Sequence, residues 1–367
     1  MRIIIAPDSF GQTLSAPEAA RAIAEGIGDS AERVSLPLSD GGPGFIDALR
    51  DALESPRLLD VPTVGPHGEA VVGNVLFDGH GRAFVESAQA AGLQATERRD
   101  PLRASSYGVG TLMLAAVEGG AQTVVVGLGG SATNDGGAGL LAALGVVAYD
   151  AAGVAVPVGA DQLFAVDHVS GTAALRTARI VAATDVDNPL CGPDGASAVF
   201  GPQKGASPDD VRLLDAALQH WGAVLERDRP AAGSFVTAPG AGAAGGMGAA
   251  LLSLRAQRRS GFDVVSEAVH LGEAIDGADL VITGEGSFDA QSVRGKVVSG
   301  VARLAQERGV PCVVIAGRVS LGRRQAAAYG IDRAYSLVEH AGEERAMDAA
   351  AEVVREVAEQ VRRDWLA

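Results

Sequence analysis

Lysine is almost absent from these 367 residues: of 30 basic side chains only Lys204 and Lys296 are lysine, and the rest are arginine. A basic face able to displace counterions from nucleic acid or an anionic membrane is missing as well, because the net charge is -15 and the pI lies near 4.8. Polyanions are thereby excluded as partners, and a small anion can be held only by local devices such as a helix N-terminus, a lysine or an arginine. Two cysteines, Cys191 and Cys312, are too few and too separated for a disulfide framework or a zinc cluster. The six histidines show no metal-ligand spacing. No run approaches the roughly 18 uncharged apolar residues that a membrane helix needs. The apolar start Met1 to Ala6 meets Pro7 and Asp8 at once, so it reads as a first strand and not as a secretory signal. Cytoplasmic residence is the expectation.

What is present suits a large folded core. Apolar residues make up 47% of the chain and charged ones 20%, and the length suggests two domains more readily than one. Strand-like runs alternate with helical ones, the pattern of an α/β fold with mostly parallel pairing. Strands are expected over Arg2 to Ala6, Arg33 to Leu38, Val71 to Phe77, Ala83 to Glu86, Thr123 to Leu128, Ile180 to Thr184, Leu280 to Thr283, Cys312 to Ala316 and Arg333 to Val338. Ser15, Pro17 and Glu18 spell a capping box for a helix reaching Ile27, and Ser207 to Asp210 starts another. Met347, Ala350, Val354, Val357 and Val361 recur at helical spacing in a last, core-packing helix. The reading is a Rossmann-like parallel-sheet domain built from both chain ends, residues 1–59 and 272–367. A second α/β domain, residues 60–271, is inserted into it, with the active site expected in the cleft between them. In open α/β sheets ligands gather beyond the strand C-termini, which would collect Asp8, Asp40, Glu285 and Asp289 on one edge.

After the expected strand at Thr123 comes GLGGSATNDGG, and a helix is expected from Gly139. Gly127, Gly129, Gly130, Gly136 and Gly137 permit positive φ and close backbone approach, while the helix would aim its N-terminal dipole at an anion. Ser131, Thr133, Asn134 and Asp135 crowd the same turn with polar groups, and the segment reads as a phosphate cradle. It is not a P-loop, since no Gly-Lys-Ser/Thr follows, and it fits the dinucleotide fingerprint only loosely through Gly127, Gly129 and Ala132. A nicotinamide dehydrogenase is disfavoured, because Asp150 is the one acid near the place where a ribose-binding carboxylate belongs. Lys204, in FGPQKGA, and Lys296, in SVRGKVVSG, place a compact ammonium on a flexible stem beside glycine, which suits contact with phosphate or carboxylate. Pro239 to Leu251, PGAGAAGGMGAAL, is read as a second ligand-facing turn.

Six segments follow one another along nearly the whole chain: APDSF (Ala6 to Phe10), LSDGGPG (Leu38 to Gly44), VESAQAAGL (Val85 to Leu93), the glycine loop, ATDVDNPLCGPDGASAVFGPQKGA (Ala183 to Ala206) and ITGEGSFDAQSVRGK (Ile282 to Lys296). Together they resemble the bacterial glycerate kinase family, the type that makes 2-phosphoglycerate. The resemblance implies the two-domain fold just described and phosphorylation of D-glycerate by ATP with Mg2+. Its implied partners are ATP and D-glycerate, with a homodimer as candidate assembly and neither nucleic acid nor membrane. One departure stands out: the family often reads PDSFKG where this chain has PDSFGQT, so Gly11 occupies the lysine position. That leaves a kinase for another small hydroxy or sugar acid as an alternative. A non-catalytic nucleotide or hydroxy-acid sensor is a third, although no DNA-binding module is apparent.

Phosphoryl transfer from ATP needs carboxylates for Mg2+, cations on the moving phosphoryl group and a carboxylate near the acceptor hydroxyl. Catalytic roles are assigned to Asp187, Asp289 and Lys296, and nucleotide or phosphate contact to Gly129, Gly130, Ser131, Asn134 and Lys204. The substrate side takes Asp8, Ser9, Asp40, Gly41 and Arg294, and the metal takes Asp185 and Glu285. Asp185 and Asp187 would point the same way if their strand continues past Thr184. Glu86 is either an active-site acid or the partner of Arg103.

Overall fold

The structure, a computed structural model, describes residues 1–53, 55–230, 234–289 and 297–366. The chain divides into two compact units: Met1–Asp40, Asp47–Leu53 and Phe262–Ala367 form one, Gly41–Ile46 and Glu54–Gly261 the other. In chain order the strands are β1 Arg2–Ile5, β2 Glu32–Ser35, β3 Arg57–Val64, β4 Ala70–Phe77, β5 Arg82–Glu86, β6 Thr123–Gly127, β7 Val147–Tyr149, β8 His168–Ser170, β9 Arg179–Ala183, β10 Gln257–Arg259, β11 Leu280–Phe288, β12 Cys312–Val319 and β13 Arg333–Ser336.

The first unit holds a five-stranded sheet in the order β13-β12-β11-β1-β2, with every pairing parallel. Its central strands are runs of Ile and Val, buried on both faces as a parallel sheet under two helical layers requires. The strand order reverses direction at β1 and β11, so the C-terminal ends of this pair mark the topological switch point at which α/β folds bind ligands. β11 runs on to Phe288, past the GEGS that reads as a turn, because its backbone keeps pairing with β12 as far as Val319. Ser15 caps the helix Ala16–Ile27 through the full box with Glu18. This helix packs on Ala350–Trp365 so closely that a Cβ on Gly26 would lie 2.3 Å from the Arg355 carbonyl oxygen and 2.7 Å from the Ala358 Cβ. The final helix buries Ala350, Val353, Val354, Val357, Ala358 and Val361. Met347, expected in that stripe, lies instead in the short helix Glu343–Asp348 and is exposed, since Ala349 at φ -129 interrupts the helical path.

The second unit holds a six-stranded sheet in the order β10-β9-β6-β5-β4-β3. β10, β9, β6 and β5 run parallel, whereas β4 and β3 are added antiparallel at one edge. β3 escaped the sequence reading because it is an edge strand: it carries Pro62 and is largely exposed, so no apolar alternation marks it. A small hairpin pairs β7 with β8. The helix Pro208–Asp228, boxed by Ser207 and Asp210, buries Trp221 against the loop after β6.

Candidate active site

In the second unit, β6 hands the chain to the glycine loop, and close packing explains most of its glycines. A Cβ on Gly127 would lie 2.6 Å from the Gly41 carbonyl oxygen, one on Gly129 2.6 Å from the Gly42 Cα, and one on Gly130 2.5 Å from the Pro43 ring. The segment Gly41–Ile46 thus lies directly on the loop. Glu86, at the end of β5, anchors it by accepting the N–H groups of Gly44 and Ile46 at 3.1 Å each. Glu86 is a loop anchor in this geometry, and Arg103 pairs instead with Asp100 and Asp161.

Asp135 organises the far side of the loop. Its carboxylate accepts Ser106 N–H and Oγ–H at 2.8 Å, Gly137 N–H at 3.1 Å and Gly139 N–H at 3.2 Å. The leading N–H groups of the six-residue helix Ala138–Ala143 therefore point into the protein's own carboxylate, and the dipole argument for an external anion does not apply to it. Burial raises the Asp135 pKa against the lowering effect of these donors. The sequence did carry a signal for this role: Asp followed by Gly-Gly is the pattern of a carboxylate bonding its own backbone two residues on. The glycine-dense segment Pro239 to Leu251 closes over the same loop. Ala244, Gly245 and Gly246 adopt left-handed backbone, and the Gly245 carbonyl accepts the Gly136 N–H at 3.0 Å. Ala244 alone of these three faces the cavity described next.

Lys204 is 2% exposed, an extreme burial for an ammonium. The turn Pro202–Lys204 delivers it, and its Nζ donates to Ser131 Oγ at 2.9 Å and to the Thr133 carbonyl at 2.7 Å. Desolvation pushes its pKa down to about 7, while the Asp135 charge pulls upward. Asn134 donates through Nδ2 to Ser197 Oγ at 2.8 Å. Asn134 Oδ1 and Thr133 Oγ1 are buried polar atoms with no hydrogen-bond partner among the described residues. Leu128, Gly129, Gly130, Ser131, Lys204 and Ala244 line a cavity of about 90 Å3, together with Val186, Phe200 and Gln203. Gly129, Gly130, Ser131 and Lys204 are thus brought together at the cavity, whereas Asn134, in the same loop, is bonded to Ser197 and is not among the lining residues. β9 ends at Ala183, so the strand continuation that would align Asp185 with Asp187 is not met. Asp187 is exposed and ion-paired with Arg258, and Asp185 is half-buried on the same turn.

In the first unit, Asp8 follows β1, Asp40 follows β2, and Glu285 lies on β11, all at the C-terminal edge. Asp8 N–H donates to the Gly284 carbonyl at 2.8 Å across the switch point, and its Oδ1 accepts the Ser9 N–H at 2.6 Å. Desolvation first, then the charges of Asp40 and Glu285, hold the Asp8 carboxyl well above the ordinary aspartate range. Asp8, Ser9, Asp40 and Glu285 thus assemble, with Asp289 just past the end of β11. Gly41, by contrast, belongs to the second unit, at φ +93 with a Cβ position 2.8 Å from the Ala183 carbonyl oxygen, so packing already accounts for it. Gly11 sits in an exposed turn at φ +61 with no atom within 4 Å of where a Cβ would stand. Arg294 and Lys296 lie outside the described residues. No group of three or more His, Cys, Asp or Glu at metal-holding geometry occurs among the described residues, and Asp185 and Glu285 fall in different units. No described helix is long and apolar enough to cross a membrane.

Comparison with known proteins places the chain in a family. The model of the glycerate kinase family matches residues 3–366. A Bacillus subtilis protein named glycerate kinase is 43% identical over 373 residues, 98% of this chain and 97% of its own length. An Escherichia coli protein named glycerate 2-kinase is 42% identical over 352 residues, 93% of this chain and 92% of its own. A crystal structure from Salmonella typhimurium LT2, of a protein assigned as glycerate kinase 2, superposes with a TM-score of 0.83 at 40% identity, covering 99% of this chain and 98% of the other.

Proposed function

This chain belongs to the glycerate kinase family of small-molecule kinases, and from that premise we propose that it moves the γ-phosphoryl group of ATP to the C2 hydroxyl of D-glycerate, giving 2-phosphoglycerate and ADP. The observation that carries the reading is the buried Lys204, donating to Ser131 in a glycine-lined cavity and giving an acidic protein a local device for phosphate. Gly129, Gly130 and Ser131 take the phosphate side, with Asn134 holding the loop to Ser197. Asp8, Ser9 and Asp40 take the acceptor side.

Of the carboxylates, Asp8 is better suited than Asp187 to receive the acceptor proton. Its proton affinity is raised well above that of an ordinary aspartate by burial and then by Asp40 and Glu285, whereas Asp187 is exposed and ion-paired with Arg258. As the hydroxyl oxygen bonds to phosphorus, its proton passes to Asp8 and the bond from phosphorus to the ADP oxygen breaks. Magnesium would travel with the triphosphate. The carboxylates of the first unit fit such a cation in charge, since Asp40 and Glu285 crowd Asp8 with like charge, but the geometry of the described residues assigns no ligand set. Asp185, Asp289, Arg294 and Lys296 stay as candidates for metal, acceptor and phosphate contact. A second reading, a kinase for a related hydroxy acid, rests on Gly11 in the position where the resemblance expects lysine.

An ADP-release assay with Mg-ATP, run in parallel on D-glycerate, L-glycerate, glycolate, lactate and tartronate, tests both readings, and phosphorus NMR of the product reads the position phosphorylated. Turnover confined to D-glycerate with a C2 phosphate is expected. Turnover of another acid alone moves the assignment to the second reading.

A further inference from the structure

Lysine offers three N–H donors, and Lys204 directs two of them to Ser131 Oγ and the Thr133 carbonyl. Among the described residues none accepts a hydrogen bond from the backbone N–H of Gly129, Gly130 or Ser131, three successive donors bent around a left-handed Gly130. Successive N–H groups in such a bend form a concave anion nest. Both sets of donors border the same cavity, whose volume of about 90 Å3 equals roughly three water molecules. That is the room of one tetrahedral oxyanion and far below the several hundred Å3 of a nucleoside pocket. The remaining lining groups, Leu128, Val186, Phe200, Gln203 and Ala244, carry no charge. The charge that acts on Lys204 is Asp135, which is itself held by Ser106, Gly137 and Gly139.

We propose that this cavity is a subsite for a single tetrahedral oxyanion, the terminal phosphoryl group alone, held by the N–H groups of Gly129, Gly130 and Ser131 and by Lys204, with the nucleoside lying outside it. The inference rests on the kinase reading but is tested without turnover. Sulfate is the probe, because it has the same shape as phosphate and does not titrate near neutrality. In the full-length protein, the amide resonances of Gly129, Gly130 and Ser131 shift saturably on sulfate addition. With Lys204 losing its proton above about pH 7, the apparent affinity falls at least about tenfold from pH 6 to pH 8.5. Lys204→Met flattens that dependence. Ser131→Ala, which keeps the ammonium and guards against a misfolded lysine variant, weakens binding several-fold while keeping the pH dependence. Stationary amides in the wild-type protein, or an equal pH dependence in Lys204→Met, overturn the proposal. Sulfate binding as described in a protein that fails to phosphorylate glycerate would leave the subsite standing and sink the substrate assignment instead.

Discussion

Gly245→Ala isolates the wedge that holds the glycine loop. Gly245 sits at φ +70, and an added Cβ would lie 1.9 Å from the Thr133 carbonyl oxygen and 2.9 Å from the Asn134 Cα. Both neighbours are backbone, so neither yields by a rotamer change. Left-handed alanine costs about 1 kcal/mol, the enforced displacement about 1–3 kcal/mol, and strain on the Gly136 to Gly245 hydrogen bond about 1 kcal/mol more, for a total of about 3–5 kcal/mol. Gly153→Ala is the matched control: the same unit, φ +78, and nothing within 4 Å of the new Cβ, so only the backbone penalty of about 1 kcal/mol applies. The chain has two tryptophans, and Trp221 lies in this unit while Trp365 lies in the other. In a Trp365→Phe background, urea unfolding followed by fluorescence therefore reports the second unit. A midpoint lower by about 1 M or more is expected for Gly245→Ala, with loss of turnover because Thr133 accepts from Lys204. Equal destabilisation of the two variants refutes the wedge.

Asp135→Asn removes one of two oxygens that together accept four donors and turns an amide toward N–H groups; a loss of about 2–4 kcal/mol in the same urea assay is expected, and a loss under 1 kcal/mol would show that the loop does not depend on it. Asp8→Asn should trade activity for stability. The folded pKa of Asp8 is raised, so the folded state binds the proton more tightly than the unfolded one and wild-type stability falls as pH rises through the folded value. The variant's advantage should grow in thermal unfolding as pH rises above the ordinary aspartate range, and a pH-independent difference would contradict the carboxylate crowding. Gly11→Lys meets open space at φ +61, so about 1 kcal/mol of stability should be lost while the KM for D-glycerate drops; an unchanged KM would mean that the glycerate carboxylate is held elsewhere.

Periodicity and caps made the frame legible. Runs such as Ile3 to Ile5 and Val124 to Val126 are buried on both sheet faces and announce parallel strands, and Ser15 with Glu18 announces a helix through local chemistry alone. β3 and β10 were invisible because an exposed edge strand and a three-residue strand carry no pattern of their own. The loop after β6 was legible as a polar, glycine-rich turn, but sequence assigned its glycines to a ligand, while contacts distant in the chain occupy most of them: Gly127, Gly129 and Gly130 answer to Gly41–Ile46, and Gly136 to Trp221. Asp135 read as part of the phosphate cradle and Glu86 as either an active-site acid or a partner of Arg103, and in the structure both accept backbone N–H groups. Such roles depend on which segments meet, and that information is tertiary.

The scarcity of lysine acquires a physical meaning at position 204. A buried site with two acceptors, Ser131 Oγ and the Thr133 carbonyl, can satisfy an ammonium with one donor to spare, whereas a guanidinium would bring five N–H donors and could not shed its charge. Lysine can: its pKa falls from 10.5 to about 7 on burial. Between those values the unfolded chain holds the proton and the folded one does not, so wild-type stability rises with pH across that window and the charge burden is fully present below it. Lys204→Arg gains nothing from rising pH. The stability gap between wild type and Lys204→Arg should therefore widen by about 3 kcal/mol from pH 6 to pH 9, read by urea unfolding on Trp221. A gap of constant size would mean that Lys204 stays charged throughout, and that its choice over arginine is a matter of shape alone.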